Sequence, residues 1–298
     1  MKHPAFQSLQ RSGVCRRQFA LLWVIACGAL AGSGAEAQDG RSVLLKTLKA
    51  YQALESYDGS ATVDIKILGR QGQLQNRALQ AQSLYAILKF KKPNRLMLHM
   101  TTPSGTRKVY CDGRDFYVLD VLNNQYTRDP APQDTRGMSE LLLRRAGIIA
   151  ALDPLFFLLA TSLPGELSNL KVSGADKING RDVVKVTGTT RMARQERTLP
   201  DGRKIVLPAV NRTWTWWVDR QNNMVLRVES RDDNFTFNVP RRQGNQVVVQ
   251  RVPAISVTRH NVASVRPNGV LDDSVFQFQK PARATERKAL QELLKGKS

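Results

Sequence analysis

The sequence has few of the residues from which catalytic and metal sites are built. It contains only three histidines and three cysteines in 298 residues. His99 and His260 lie far apart, each in a stretch that predicts a strand, so they do not have the spacing of a metal site. His-Glu-x-x-His, Gly-x-Ser-x-Gly and Cys-x-x-Cys motifs are also absent. We therefore expect no enzymatic activity, no bound metal and no cofactor.

The paired carboxylates are explained better as structural residues than as catalytic ones. Asp232-Asp233 and Asp272-Asp273 stand in polar, turn-like surroundings, without the apolar neighbours that would form an acid–base pocket. The terminal Gly296-Lys297-Ser298 lacks the upstream glycine of a phosphate-binding loop and does not follow a strand. We expect all three to be hydrated polar segments.

Residues 1–37 predict a secretory signal peptide. Positive residues precede an apolar run from Phe19 to Ala31 that is too short to span a bilayer comfortably, and Ala35-Glu36-Ala37 is a small-residue cleavage pattern. Arg16-Arg17 also fits a twin-arginine signal. The residues before Cys27 resemble the lipobox of an acylated lipoprotein. Export to the periplasm with cleavage after Ala37 is the primary prediction, and the twin-arginine route and acylation at Cys27 remain alternatives.

Beyond the signal, the sequence lacks a second long apolar run and a second cysteine. Cys111 is the only cysteine after Cys27, so an internal disulfide is excluded and we expect a soluble or peripheral protein. The formal net charge of +20 would indicate nucleic acid in a cytoplasmic protein. An exported protein instead meets an anionic membrane surface or an acidic envelope protein, so we expect these and no nucleic acid. Alternatively, the lysines and arginines only cover the solvent face of a sheet.

What the sequence does contain is a long series of strand patterns. From Ser83 to Arg128, short apolar or alternating segments are separated by Lys-Lys-Pro-Asn, Pro-Ser-Gly, Asp-Gly and Asn-Asn. Strands joined by such short turns pair antiparallel, because a parallel return needs a longer crossover. Strands resume from Leu170, with a hairpin at Pro200-Asp201-Gly202 inside a basic insertion from Arg191 to Asn211. A polar connection is predicted from Gly69 to Gln82.

Helices are predicted before, between and after the strands. Arg41 to Leu54 has helical apolar spacing. Met138 to Ala150 and Pro154 to Ala160 follow the first strands, the latter with Asp153 as N-cap. Pro154 to Ala160 is apolar nearly all round and has to be covered, most simply by the concave face of the sheet. Glu286 to Lys295 predicts a short charged helix. The fold class is therefore α+β, with one large antiparallel sheet.

Large apolar side chains recur on single faces of these strands. Period two places Trp214, Trp216 and Val218 on one face and Trp217 on the other. Ordinary core packing accounts for any one of them, but a curved sheet with a loosely held helix from Leu155 to Ala160 would also enclose a cavity for an acyl chain. The residues predicted to line this cavity are Leu88, Phe90, Leu96, Leu98, Phe156, Phe157, Trp214, Trp216 and Leu226.

Several short motifs of turn and core residues are spread along the chain. In chain order, they are Tyr51-x-x-Leu54-x-Ser56-Tyr57, Lys92-Pro93-Asn94-Arg95-Leu96, Cys111-Asp112-Gly113-Arg114, Phe116-Tyr117-Val118, Asn124-Gln125-Tyr126-Thr127, Asn179-Gly180-Arg181-Asp182, Trp217-Val218-Asp219 and Phe276-x-Phe278-x-x-Pro281. Together these motifs resemble the LolA/LolB superfamily of periplasmic lipoprotein carriers. Within this superfamily the chain looks closest to an uncharacterised family of predicted periplasmic proteins.

The resemblance implies an unclosed antiparallel β-barrel whose concave face is covered by helices. With the signal peptide 1–37 predicted above, the chain then has a LolA-like domain 38–281 and a charged tail 282–298. The expected function is non-enzymatic binding of a lipid or lipoprotein acyl chain in the half-barrel. Because relatives also serve as sensors, the alternative is a protein-interaction module that contacts an acidic partner through its basic surface.

Overall fold

A computed structural model describes residues 39–70, 78–146, 153–192, 195–198, 204–207, 210–243 and 246–288. Within these ranges, the chain is organised around one sheet of 12 strands, and a separate two-stranded hairpin is formed by β9 and β10. The strands are β1 Ser56–Gly69, β2 Ala78–Lys91, β3 Arg95–Thr102, β4 Gly105–Asp112, β5 Asp115–Asp120, β6 Gln125–Pro130, β7 Leu167–Ile178, β8 Arg181–Met192, β9 Gln195–Thr198, β10 Lys204–Leu207, β11 Val210–Asp219, β12 Val225–Gln243, β13 Gln246–Pro267 and β14 Thr285–Glu286.

The large sheet is not closed into a barrel. Its strand order is β14-β6-β5-β4-β3-β2-β1-β13-β12-β11-β8-β7, so that β7 and β14 lie at opposite edges. Neighbouring strands are antiparallel, except that β14 runs parallel to β6. The predicted series of hairpins from β2 to β6 is confirmed. The pairing of β1 with β13 joins this half of the sheet to the later strands.

In the part of the chain that the structure describes, three helices cover the concave face of the sheet. They are α1 Gly40–Gln52, α2 Thr135–Leu141 and α3 Pro154–Leu159, and α2 continues into a π-helical turn at Leu142–Ala146. The Asp153 side chain caps α3 as predicted, accepting a hydrogen bond from the Phe156 amide at 2.9 Å. The helical apolar spacing predicted from Arg41 to Leu54 corresponds to five buried residues in α1 and the turn after it, namely Val43, Leu44, Leu48, Tyr51 and Leu54.

Several predicted boundaries were wrong. β2 begins at Ala78, so the predicted polar connection is shorter than expected, and residues 71–77 lie outside the described ranges. β12 and β13 are each one long strand, and β12 accommodates its polar Asp232 to Asn234 segment in a bulge. Residues 273–276 form a 3-10 turn. Glu286 lies in β14, and most of the helix predicted to start there lies outside the described residues.

The apolar residues form three clusters. The main core lies between the concave face and the helices and includes Trp214 and Trp216, whose rings stack with centroids 6.0 Å apart. Trp217 faces the other way, as predicted, and packs in a second cluster on the opposite face of the sheet. In the third cluster, Phe278 stacks on Tyr117 at 4.5 Å, which holds the segment after β13 against β5 and β6.

Acidification is expected to destabilise the protein through His99. This imidazole lies 2.9 Å from the Tyr110 hydroxyl. Burial, and then the charge of Lys108, lowers the pKa of His99 from 6.5 to about 4. Because the unfolded chain binds this proton first, the free energy of unfolding should fall as the pH drops from 6.5 to about 4. When the free energy of unfolding is measured by urea titration at several pH values in this window, it should change less with pH in His99→Asn than in the wild-type protein. An unchanged dependence on pH would contradict the assignment to His99.

Candidate functional site

An apolar groove lies between α3 and the concave face of four adjacent strands. Its volume is about 330 Å³. The floor and one wall are formed by β1, β2 and β3, and the opposite wall by β13 and the start of α3. The lining side chains from β1 to β3 that are apolar are Tyr57, Ala61, Val63, Ile65, Leu84, Ala86, Leu88, Leu98 and Met100. The register places them on one face, since Ala61 pairs with Ala86 and Ala86 pairs with Met100.

The groove exists where the floor residues are small. Gly59, Ala61 and Ala86 lie side by side on β1 and β2, where larger side chains would fill the space. The buried Tyr57 ring lies over Gly59, and a Cβ at Gly59 would stand 2.6 Å from the Tyr57 Cε1 atom. Glycine at this position therefore lets the tyrosine ring close one end of the groove.

The polar side chains of the groove gather along one wall. The Asp153 Oδ2 atom lies 3.6 Å from His260 Nδ1, while Oδ1 caps α3. Burial, and then the charges of Asp153 and Asp58, raises the pKa of Tyr57 well above its ordinary value. The phenol thus stays protonated and is able to donate a hydrogen bond. The groove combines a fully apolar wall on β2 and β3 with a few hydrogen-bonding groups opposite.

The predicted cavity residues do not all meet in the groove. Leu88 and Leu98 line it. The following predicted residues lie in the main core or, for Phe156, pack against it: Phe90, Leu96, Phe156, Phe157, Trp214 and Trp216. Leu226 lies instead in the cluster on the opposite face, with Trp217. The cause is a bulge, because Val218 pairs with Val225 and Trp217 with Arg227, which leaves Leu226 as an extra residue in β12.

Sequence reasoning missed most of the residues that shape the groove. Asp153 was recognised only as a helix cap, and Tyr57, Gly59 and His260 were not connected with a cavity. One signal was present in the sequence, since the alternation of β1 and β2 already placed small and large apolar residues on the same face. The proximity of Asp153 to His260 depends on long-range strand pairing and has no local signal.

Neither a metal-binding cluster nor a reactive thiol is found among the described residues. They contain no group of three or more His, Cys, Asp or Glu side chains placed to hold a metal ion. Burial raises the pKa of Cys111 to about 11, so this thiol is held in its unreactive form. No helix within the described ranges combines the length and the apolar character needed to cross a bilayer.

Replacing Asp153 with alanine is expected to loosen α3. The change removes the acceptor for the Phe156 amide and should lower the free energy of unfolding by about 1 kcal/mol. Hydrogen exchange of the α3 amides should rise in parallel. Asp153→Asn keeps an acceptor and serves as the matched control. If the asparagine variant loses as much stability as the alanine variant, the cap is not the cause.

The sheet, the covering helices and the groove define an α+β half-barrel, built from one large antiparallel sheet that is unclosed over the described residues. This confirms the fold class expected from the sequence motifs. The chain belongs to the family described as "Predicted periplasmic protein (DUF2092)", whose model matches residues 40–240. No curated protein matches the sequence.

Solved structures with distant similarity cover most of the chain. Lipoprotein LppX from Mycobacterium tuberculosis is 14% identical over 78% of this chain and 97% of its own, with a TM-score of 0.38. LolA superfamily protein NE2245 from Nitrosomonas europaea is 12% identical over 80% and 98%, with a TM-score of 0.30. The MucA/MucB complex of Pseudomonas aeruginosa gives 10% identity over 80% and 61%, with a TM-score of 0.36. These likenesses are too distant to transfer a ligand.

Proposed function

We propose that this protein is a non-enzymatic periplasmic binding protein that holds the acyl chain of a lipid or lipoprotein in its groove. The observation that carries the proposal is the apolar groove of about 330 Å³ beside α3. Ligand pockets of this size are typically apolar with a few placed polar groups. The family assignment supports the periplasmic location.

The shape of the groove favours a linear apolar ligand. Its lining follows β1 from Tyr57 to Ile65, which corresponds to about 26 Å at the rise of an extended strand. Each methylene group that leaves water contributes about 0.8 kcal/mol to binding. An acyl chain would lie along the β2 and β3 wall, and its ester or amide group would reach the Asp153 and His260 side chains.

α3 is the element that would move to admit the ligand. It has only six residues. The residues directly after it are held by the Gln52 side chain, whose Nε2 atom donates hydrogen bonds to the Ala160 and Thr161 carbonyls at 3.3 and 3.2 Å. The α3 side chains Leu155, Phe157, Leu158 and Leu159 are buried, so that opening exposes apolar surface which a bound acyl chain would cover again. Hydrogen exchange should show faster exchange in α3 than in β1 and β13. Protection equal to the central strands in every condition would contradict a lid.

Ligand content is the direct test of the proposed function. Native mass spectrometry of the protein isolated from its own envelope should show a co-purifying lipid, and a fluorescent fatty acid should bind after delipidation. Binding should change little with salt, because burial of an apolar chain is not screened. Absence of both co-purifying lipid and probe binding would exclude the proposal.

A second candidate function is contact with an acidic envelope protein. A surface cleft is lined by four basic residues and one glutamate, namely Arg128, Arg145, Glu286, Arg287 and Lys288. Arg128 and Arg145 already pair with Asp115 and Asp129, at 3.0 and 2.6 Å. Binding through this cleft would weaken steeply with salt, in contrast to acyl binding.

Export is the remaining part of the proposal. The predicted signal peptide and its alternatives at Arg16-Arg17 and Cys27 lie outside the described residues. N-terminal sequencing of the exported protein should find Gln38 as the first residue. A blocked, acylated cysteine at position 27 would favour the lipoprotein alternative.

A further inference from the structure

A two-stranded ribbon extends from the main sheet beyond the Ile65 end of the groove, which lies opposite the end closed by Tyr57. β12 loses its pairing with β11 after Asp232, and β13 pairs with β1 only as far as Ala254. Beyond these points, residues 235–243 of β12 pair only with β13, and residues 246–253 of β13 pair only with β12 among the described strands. At the rise of a strand, the ribbon projects about 30 Å.

One face of the ribbon is mostly apolar, apart from Gln250 and Arg241, and continues the face of the groove. Phe235 pairs with Ala254, and Phe237 pairs with Val252. Alternation places these side chains, with Val239 and Val248, on the same side of β13 as Thr258, which lines the groove. Val252 and Ala254 at the base of this face are buried, whereas Val248 further out is 40% exposed. A two-stranded ribbon is only marginally stable alone in water. A partner that covers the exposed part of this apolar face would therefore stabilise it.

The charge of the ribbon indicates the chemistry of that partner. From Phe235 to Ala254 the sequence contains three arginines, Arg241, Arg242 and Arg251, and neither aspartate nor glutamate. Aromatic and aliphatic side chains next to arginines suit a surface with an apolar interior and anionic head groups. Each basic residue near such a surface contributes about 1 kcal/mol to binding.

We propose that the β12–β13 ribbon docks on an anionic bilayer surface, with its apolar face against the acyl region. The surface in question is that of a membrane leaflet that contains phosphatidylglycerol or a similar lipid. This orientation also places the open end of the groove beside the lipids. Docking depends on the ribbon alone, so it and the acyl-binding function proposed above can fail independently.

Vesicle sedimentation of the exported chain tests the proposal. Binding to phosphatidylcholine vesicles that contain phosphatidylglycerol should exceed binding to phosphatidylcholine alone by about tenfold or more. Arg241→Glu with Arg242→Glu should remove most of this difference, since the register pairs Arg241 with Val248 on the apolar face and places Arg242 next to it. The matched control, Lys46→Glu with Lys49→Glu on exposed positions of α1, makes the same change in net charge and should have about a twofold effect or less.

The apolar contact needs a separate readout. In Val248→Trp, the fluorescence of the added tryptophan is obtained by subtracting the wild-type emission spectrum. Its maximum should shift to the blue when anionic vesicles are added. Val270→Trp, at the fully exposed segment after β13, should show no such shift. Phe235→Ser with Phe237→Ser should weaken vesicle binding about tenfold, with thermal unfolding measured to confirm that the domain is folded.

Three results would overturn the proposal. One is equal binding to both kinds of vesicle. A second is an equal loss in the ribbon and α1 charge variants, because general electrostatic attraction would then account for binding. A third is a dimer in solution that Phe235→Ser with Phe237→Ser converts to monomer, since the apolar face would then belong to a second copy of the chain.

Discussion

Replacing Arg107 with methionine is expected to lower the free energy of unfolding by about 3–5 kcal/mol. Arg107 is buried on the concave face of β4, next to Met100 of the groove in the strand register. Its Nη1 atom donates a hydrogen bond to the Ala146 carbonyl at 2.8 Å, and Nη2 lies 3.8 Å from Asp120 Oδ2. The substitution leaves a buried carboxylate without its positive neighbour and a helix end without its donor. Urea unfolding of the folded variant measures the loss.

The second substitution in this test separates the two contributions. Asp120 also accepts hydrogen bonds from the Asn123 backbone and side-chain amides, at 3.1 and 2.9 Å. Arg107→Met combined with Asp120→Asn removes the uncompensated charge and should recover about half of the lost stability. If the double variant is no more stable than Arg107→Met alone, the loss of stability comes from the missing hydrogen bond to the Ala146 carbonyl. A loss below about 1 kcal/mol in the single variant would contradict the importance of the pair.

The sheet was predictable because its signals are local. Turn residues such as Asp112-Gly113 and Asn179-Gly180 set the hairpins, and Gly113 and both residues of the second turn have positive φ angles in the structure. Period two placed Trp216 and Trp217 on opposite faces, as observed. The lengths of β12 and β13 were not predictable, since a bulge at Asp232 carries a polar segment through a continuous ladder.

The groove was harder to predict because a cavity is formed where side chains are small, and no single residue type marks it in the sequence. Prediction from large apolar side chains favoured Trp214 and Trp216, but large side chains fill a core and leave no room. The open volume instead lies over Gly59, Ala61 and Ala86. Small residues at facing positions of adjacent strands are therefore a better indicator of a cavity than aromatic residues, but recognising them requires the strand register.

Filling the groove is expected to abolish most acyl binding while the fold remains intact. Ala86 lies on the groove face of β2 between Ala61 and Met100. In Ala86→Phe, the added ring would occupy the space of about two or three methylene groups of the ligand. At about 0.8 kcal/mol each, the loss is about 2 kcal/mol, or about thirtyfold in Kd for a fluorescent fatty acid.

The same strand offers a matched control for this prediction. Ala81 is exposed on the opposite face of β2, where it pairs with Lys66. Ala81→Phe adds the same ring outside the groove and should leave the Kd within about twofold. Because Ala86 is only partly buried next to open volume, both variants should unfold near the wild-type temperature. Equal affinity of Ala86→Phe and Ala81→Phe would place the ligand elsewhere on the protein, even if lipid co-purifies with it.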